Sequence, residues 1–194
     1  MLKIGGFTPF TTIDYPDRLA AVIFCQGCPW RCGYCHNREL LDAAAPGKIP
    51  WDEILTFLDR RRGLLDAVVF SGGEPTLQPG LKEAILAVRE RGFLTGLHTG
   101  GAYPDALAEI LPHLDWVGMD IKAPFADYER ITGAAGSGEA AERSADLVRT
   151  SGVGHRFRTT LDPDLLRDEQ IAGLRRLVLE GWGSGYDIRH AAPL

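Results

Sequence analysis

The chain has 194 residues, a length suited to one domain around one core. Its 45% apolar and 24% charged residues are a globular balance, which excludes a disordered chain. A formal net charge of -5 removes any general electrostatic case for binding DNA or RNA. No apolar run reaches the roughly 18 residues of a membrane helix. The opening Met1-Leu2-Lys3-Ile4-Gly5-Gly6 has neither an apolar signal core nor a cleavage site. The expectation is one domain over residues 1–194, cytoplasmic, with neither a membrane nor a nucleic-acid partner.

Short apolar runs alternate with amphipathic ones along the chain. Residues 19–24 read as a buried strand. Residues 51–62 then form a helix with Ile54, Leu55 and Leu58 on one face. A strand at 67–70 precedes a helix at 81–91, with Ala84, Ile85 and Val88 inward and Gly92 closing it. Strand 93–97, helix 104–111 and strand 116–119 follow. Gly136-Ser137-Gly138 reads as a mobile loop before a helix at 139–150. Strand 155–161, helix 168–180 and a short strand at 186–189 complete the order. Strands alternating with helices imply βαβ units and a parallel sheet. Six strands are too few to close an eight-stranded barrel. The expected fold is therefore α/β, an open partial (β/α)6 barrel with a curved parallel sheet and outer helices. A doubly wound sheet is the alternative. In both, ligands gather at the carboxyl ends of the strands.

The four cysteines, Cys25, Cys28, Cys32 and Cys35, lie in one short segment directly after the first strand. Disulfide scaffolds spread their cysteines, so this clustering points to metal. A zinc site using all four thiolates would need two Cys-x2-Cys knuckles, and these stand unusually close together. A ferredoxin-like cluster would also take four. The third reading uses only Cys28-x3-Cys32-x2-Cys35, leaving one iron of a four-iron cube open to substrate. That spacing resembles the radical S-adenosylmethionine superfamily. The resemblance implies a [4Fe–4S] cluster on Cys28, Cys32 and Cys35 whose open iron is chelated by the methionine part of S-adenosyl-L-methionine. Tyr34 matches the aromatic near the adenine, and Cys25 is left over.

Companion motifs fall at the ends of the later strands. Ser71-Gly72-Gly73-Glu74-Pro75 is by itself a tight glycine turn. By resemblance, Gly72, Gly73 and Glu74 hold the methionine amino group. His98-Thr99-Gly100-Gly101 is by itself a polar turn. It resembles the Thr-x-Gly turn that lies near the ribose in glycyl-radical activating enzymes, which often carry an acid at the place of His98. Asp120 and Lys122, two residues apart, share a face. They match an Asp-x-Lys element in which Lys122 meets the cofactor carboxylate and Asp120 lies in the same pocket. Arg158 and Thr160 alternate onto one face, where Arg158 has two candidate partners, the cofactor carboxylate or a structural carboxylate. His190 reads as a surface or packing residue.

The opening residues 5–16, Gly-Gly-Phe-Thr-Pro-Phe-Thr-Thr-Ile-Asp-Tyr-Pro, look like the start of anaerobic ribonucleoside-triphosphate reductase activating proteins. So do residues 24–32 and Cys35-His36-Asn37. Departures are Asp17, where that family has glycine, and an early end at Leu194. The resemblance implies reductive cleavage of S-adenosylmethionine to a 5′-deoxyadenosyl radical, which abstracts hydrogen from a glycine of a reductase large subunit. It also implies a flavodoxin- or ferredoxin-type electron donor. A radical enzyme acting on a small molecule, such as a deazapurine precursor, and a zinc-stapled interaction module are the alternatives.

Overall fold

In the computed structural model, residues 2–162 and 165–190 are described. Seven strands form one sheet in sequence order: β1 (Ile4–Thr11), β2 (Ala20–Cys25), β3 (Ala67–Gly72), β4 (Leu94–Thr99), β5 (Trp116–Asp120), β6 (Gly154–Leu161) and β7 (Tyr186–His190). From β2 to β7 every pairing is parallel, each crossover passing through helical turns. The helices are α1 (Trp51–Asp59), α2 (Leu81–Glu90), α3 (Pro104–Ile110), α4 (Tyr128–Thr132), α5 (Ser137–Thr150) and α6 (Asp168–Arg175). The open, curved α/β sheet expected from the alternating pattern is present.

Three local expectations are corrected. The sheet has a seventh strand, β1, which runs antiparallel on the edge beside β2. Helix 168–180 splits into α6 and a π-helical turn, Arg176–Gly181. Residues 136–138 are not a mobile loop. Gly136 supplies a left-handed turn (φ 70°) and α5 starts at Ser137, whose hydroxyl meets that of Thr132 at 2.7 Å. Gly138 is buried against the Phe125 carbonyl, where a Cβ would overlap it. The close at Leu194 lies outside the described residues.

Strand alternation divides the core in two. Ala21, Ile23, Val68, Phe70, Leu97, Val117, Met119 and Phe157 face the helices and pack on Ile54, Leu58, Ile85, Val88, Leu107, Ala145 and Val148. The intervening residues Ala20, Val22, Ala67 and Val69 face the other way and are covered by Tyr15, from the loop after β1. Tyr15 stacks near Trp116, ring centroids 5.6 Å apart. That loop fills the amino end of the concave face and leaves its carboxyl end open. There the same alternation presents Phe24, Ser71, His98, Asp120, Arg158 and Thr160, all lining one cavity.

Candidate functional site

The cavity has a volume of about 320 Å³, at the lower end of small-molecule sites. One wall is the loop leaving β2. Backbone bonds root it: Gly27 N–H donates to the Leu40 carbonyl at 2.7 Å, and Arg31 N–H to that of Thr132 at 2.7 Å. The buried Gln26 amide donates to the carbonyls of Glu39 and Asp42. Cys28, Cys32 and Cys35 are half-buried and line the cavity, whereas Cys25 is fully buried in the helix-side core and does not. Burial pushes the Cys28 thiol up to about 11, and raises Cys32 against the pull of Lys122. Cys25, deeper and facing the Glu74 charge, is raised further. Among the described residues no three His, Cys, Asp or Glu side chains converge on a single ion.

The Gly72-Gly73-Glu74 turn after β3 forms the second wall. Gly73 N–H donates to the Cys25 carbonyl at 3.0 Å and Glu74 N–H to the Gly27 carbonyl at 2.8 Å, so this turn is sewn to the root of the cysteine loop. The Glu74 carboxylate is buried, which requires donors. Oε1 accepts from Thr76 N–H at 3.1 Å and from the Thr76 and Thr99 hydroxyls at 2.6 and 2.7 Å. Oε2 accepts from Gly100 N–H at 2.9 Å. Glu74 thus ties the end of β3 to the end of β4. The Thr99 hydroxyl, which also accepts from Gly101 N–H at 2.9 Å, belongs to that tie.

Across the cavity, Arg158 Nε donates to Asp120 Oδ1 at 2.8 Å, the structural partner of the two considered for this arginine. Burial alone would raise Asp120, but the Arg158 and Lys122 charges hold it down at about 2. Lys122 Nζ lies 3.6 Å from Asp120 Oδ2 and 5.6 Å from the Tyr34 ring centroid. Burial opposes its charge, yet the surrounding Tyr34 and Asp120 keep its pKa well above the usual lysine value. The fully buried Tyr128 pins this turn, its hydroxyl accepting from Lys122 N–H at 2.9 Å.

Every residue singled out in the sequence as a cluster ligand or cofactor contact lines this one cavity: Cys28, Cys32, Cys35, Tyr34, Gly72, Gly73, Glu74, Thr99, Asp120, Lys122 and Arg158. Asp14, Trp30, Ser71 and Arg189 line it too and were not read from the sequence. Ser71 was within reach of strand alternation from Val69. Asp14 was not, because only the fold-back of the loop after β1 brings it there.

His98 sits on the cavity floor, its Nε2 2.9 Å from the Asp14 carbonyl oxygen. Burial first, then the Arg158 charge, lower its pKa to about 4, against Asp120 and Asp14. A histidine held neutral when folded contributes stability that is complete above its unfolded value near 6.5. That contribution is lost as pH falls from there towards 4. Urea unfolding at pH 7.5 and pH 5 should reveal about 2 kcal/mol of acid loss that His98→Gln lacks. Equal losses in both proteins would refute this account.

The cavity also fits a bound group by what it leaves unpaired. Tyr34 Oη is buried without a hydrogen-bond partner among the described residues. Such an orphan calls for a ligand or water atom. The family model of the radical SAM superfamily matches residues 22–178. The chain belongs to this superfamily. It is accordingly an enzyme that uses a [4Fe–4S] cluster and S-adenosyl-L-methionine. A protein of Methanocaldococcus jannaschii named as a candidate glycyl-radical enzyme activating enzyme is 32% identical over 185 residues, covering 90% of this chain and 75% of that one. The pyruvate formate-lyase-activating enzyme of Clostridium pasteurianum is 38% identical over 139 residues, covering 69% of this chain and 58% of that one. Streptococcus suis SuiB bound to S-adenosylmethionine superposes with a TM-score of 0.68 at 17% identity, over 87% of this chain and 39% of that one. At that identity the likeness is one of fold. No described helix is long and apolar enough to cross a membrane.

Proposed function

We propose that this chain activates a glycyl-radical enzyme, and that its partner is the large subunit of an anaerobic ribonucleoside-triphosphate reductase. The carrying observation is the convergence of the cysteine loop, the Gly-Gly-Glu turn and the Asp-x-Lys turn on one cavity at the strands' carboxyl ends. The relatives' names support the glycyl-radical class. The opening Gly-Gly-Phe-Thr-Pro-Phe-Thr-Thr-Ile-Asp-Tyr-Pro supports the reductase.

In this reading Cys28, Cys32 and Cys35 ligate the cluster within a single domain of residues 1–194. When bound, cluster and cofactor supply one-electron cleavage of a sulfonium and a carbon radical that takes hydrogen from a glycine. The chain's own residues orient and enclose. Arg158 occupies Asp120, and Lys122, held only loosely at 3.6 Å, is left to meet the methionine carboxylate. Gly72 and Gly73 give the amino group close access to backbone, and Glu74 with Thr99 holds that backbone in place. Tyr34 offers its ring and its unpaired hydroxyl to the nucleoside. The electron donor is a one-electron carrier of flavodoxin or ferredoxin type.

The test is anaerobic reconstitution with S-adenosylmethionine, a reductant and the host's reductase, followed by EPR. A glycyl-radical doublet on the reductase, absent without S-adenosylmethionine, is the expected result. Formation of 5′-deoxyadenosine without any doublet would refute the reductase as partner.

A further inference from the structure

We propose that the outer face of the cysteine loop, carrying Arg31, Arg38 and Arg130, is the docking surface for an acidic one-electron carrier protein. The proposal rests on the ligation of the cluster by Cys28, Cys32 and Cys35. The chain as a whole is anionic, at -5, yet this face concentrates exposed guanidinium groups. All three are used on backbone carbonyls. Arg31 Nη1 donates to Cys28 and Trp30 at 2.7 and 2.9 Å, Arg38 Nη2 to Gly33 at 2.7 Å, and Arg130 Nη2 to Leu165. A carbonyl satisfies a donor and leaves the positive charge uncompensated. Elsewhere Arg89, Arg143 and Arg149 pair with carboxylates; among the described residues none of these three does. Glu39 and Glu129, beside Arg38 and Arg130, are exposed, and Glu129 accepts from Gly136 N–H; counted against these two carboxylates, the three guanidinium groups leave the face one positive charge in excess.

The arginines surround one bare spot. Gly33, between Cys32 and Cys35, is exposed, and a Cβ there would meet only Leu165 Cδ1, at 3.7 Å. Leu165 carries the carbonyl that holds Arg130, and Arg31 N–H bonds to Thr132 at the end of the helix bearing Arg130. A partner's surface can therefore approach Gly33, between two cluster ligands, with Leu165 and the Arg38 guanidinium as the described side chains beside it. Because the guanidiniums are already fixed by hydrogen bonds, docking costs them little further freedom. Complementary charge at such a rim accelerates encounter and makes it salt-sensitive. Each encounter passes one electron: the carrier is oxidised by one, the cluster reduced by one, and no bond or proton moves.

The experiment titrates the reconstituted enzyme with a flavodoxin, reading affinity by fluorescence anisotropy at low and high salt. Reversing two charges, Arg38→Glu with Arg130→Glu, should weaken binding about tenfold and flatten its salt dependence. Arg130→Glu alone, outside the cysteine loop, should show part of the loss even if the double variant folds poorly. Arg31→Lys, which keeps the charge, should bind as the wild type does, and so should Arg60→Glu at the far end of α1. Unchanged affinity in the reversed variants, or no flavodoxin binding by the wild type, overturns the docking face. Iron content and dithionite-driven cleavage of S-adenosylmethionine are read in parallel. Their absence in the wild type would remove the cluster reading itself, whereas their presence with unchanged affinity removes the docking face alone.

Discussion

Alanine at Cys28, Cys32 or Cys35 is expected to abolish the iron–sulfur chromophore, whereas alanine at Cys25 is expected to leave it. The four thiols are close in sequence but not in environment. Cys25 is the last residue of β2, in register with Gly72, wholly buried and packed on the helix side of the sheet. Its thiol is the more strongly held protonated, since burial and the Glu74 charge both oppose a thiolate. A metal takes the thiolate and must drive off that proton. The other three line the cavity, and the Lys122 charge favours the thiolate at Cys28 and Cys32. Each of these three substitutions should lower bound iron and sulfide, and cleavage of S-adenosylmethionine, by more than about a hundredfold. Cys25→Ala should cost about 1 kcal/mol in packing and keep the cluster. Loss of the cluster in Cys25→Ala as well as in the other three would instead favour four-thiolate ligation of the ferredoxin kind.

The chemistry of this site was readable because it lies in contiguous turns at strand ends, where short spacings carry the pattern. The cysteine loop, the Gly-Gly-Glu turn and the Asp-x-Lys turn each follow a strand marked by an apolar run, and parallel order puts those ends on one rim. What was missed depends on tertiary pairing. β1 reads Ile-Gly-Gly-Phe-Thr-Pro-Phe-Thr, and glycine and proline weaken its local strand signal. Only β2 beside it makes it a strand, with Pro9 and Phe10 on the exposed part. The start of α5 failed for a related reason. Gly136-Ser137-Gly138 looks mobile in isolation, yet its small residues permit the close approach to Thr132 and Phe125. Glycine marked contact there, not freedom.

The roles of polar residues were less readable than their places. Arg158 could be assigned to the cavity by alternation, but its choice of Asp120 over a ligand is a matter of distance. The same holds for Glu74 and Thr99. Both sit at the expected turns, and their hydrogen bonds join those turns to each other. A carboxylate saturated in this way acts as a brace. Its removal would loosen the end of β3 from the end of β4, while the backbone N–H groups of Gly73 and Glu74 couple the same turn to the root of the cysteine loop.

That coupling makes Gly73→Ala one of the most damaging conservative changes expected in the chain. A Cβ at Gly73 would overlap the Gly27 carbonyl oxygen, and would also lie 2.7 Å from the Gly27 carbonyl carbon and 3.0 Å from the Leu40 oxygen. All of these are backbone atoms, so no rotamer can relieve the clash. The same atoms carry the bonds Glu74 N–H to Gly27 at 2.8 Å and Gly27 N–H to Leu40 at 2.7 Å. One added methyl would therefore pry the Gly-Gly-Glu turn from the root of the cysteine loop. The expected cost is about 2–4 kcal/mol, from overpacking together with lost buried hydrogen bonds. Gly173, within α6, has nothing within 4 Å of an added Cβ and lies in helical backbone. Gly173→Ala should stabilise by about 0.5–1 kcal/mol, through the reduced freedom of the unfolded chain. Denaturant unfolding of the two variants, with iron content measured on each, separates steric damage at the seam from a generic glycine effect. Gly73→Ala with near wild-type stability and a full cluster would mean that the seam can open without loss, and that the two walls are not mechanically joined.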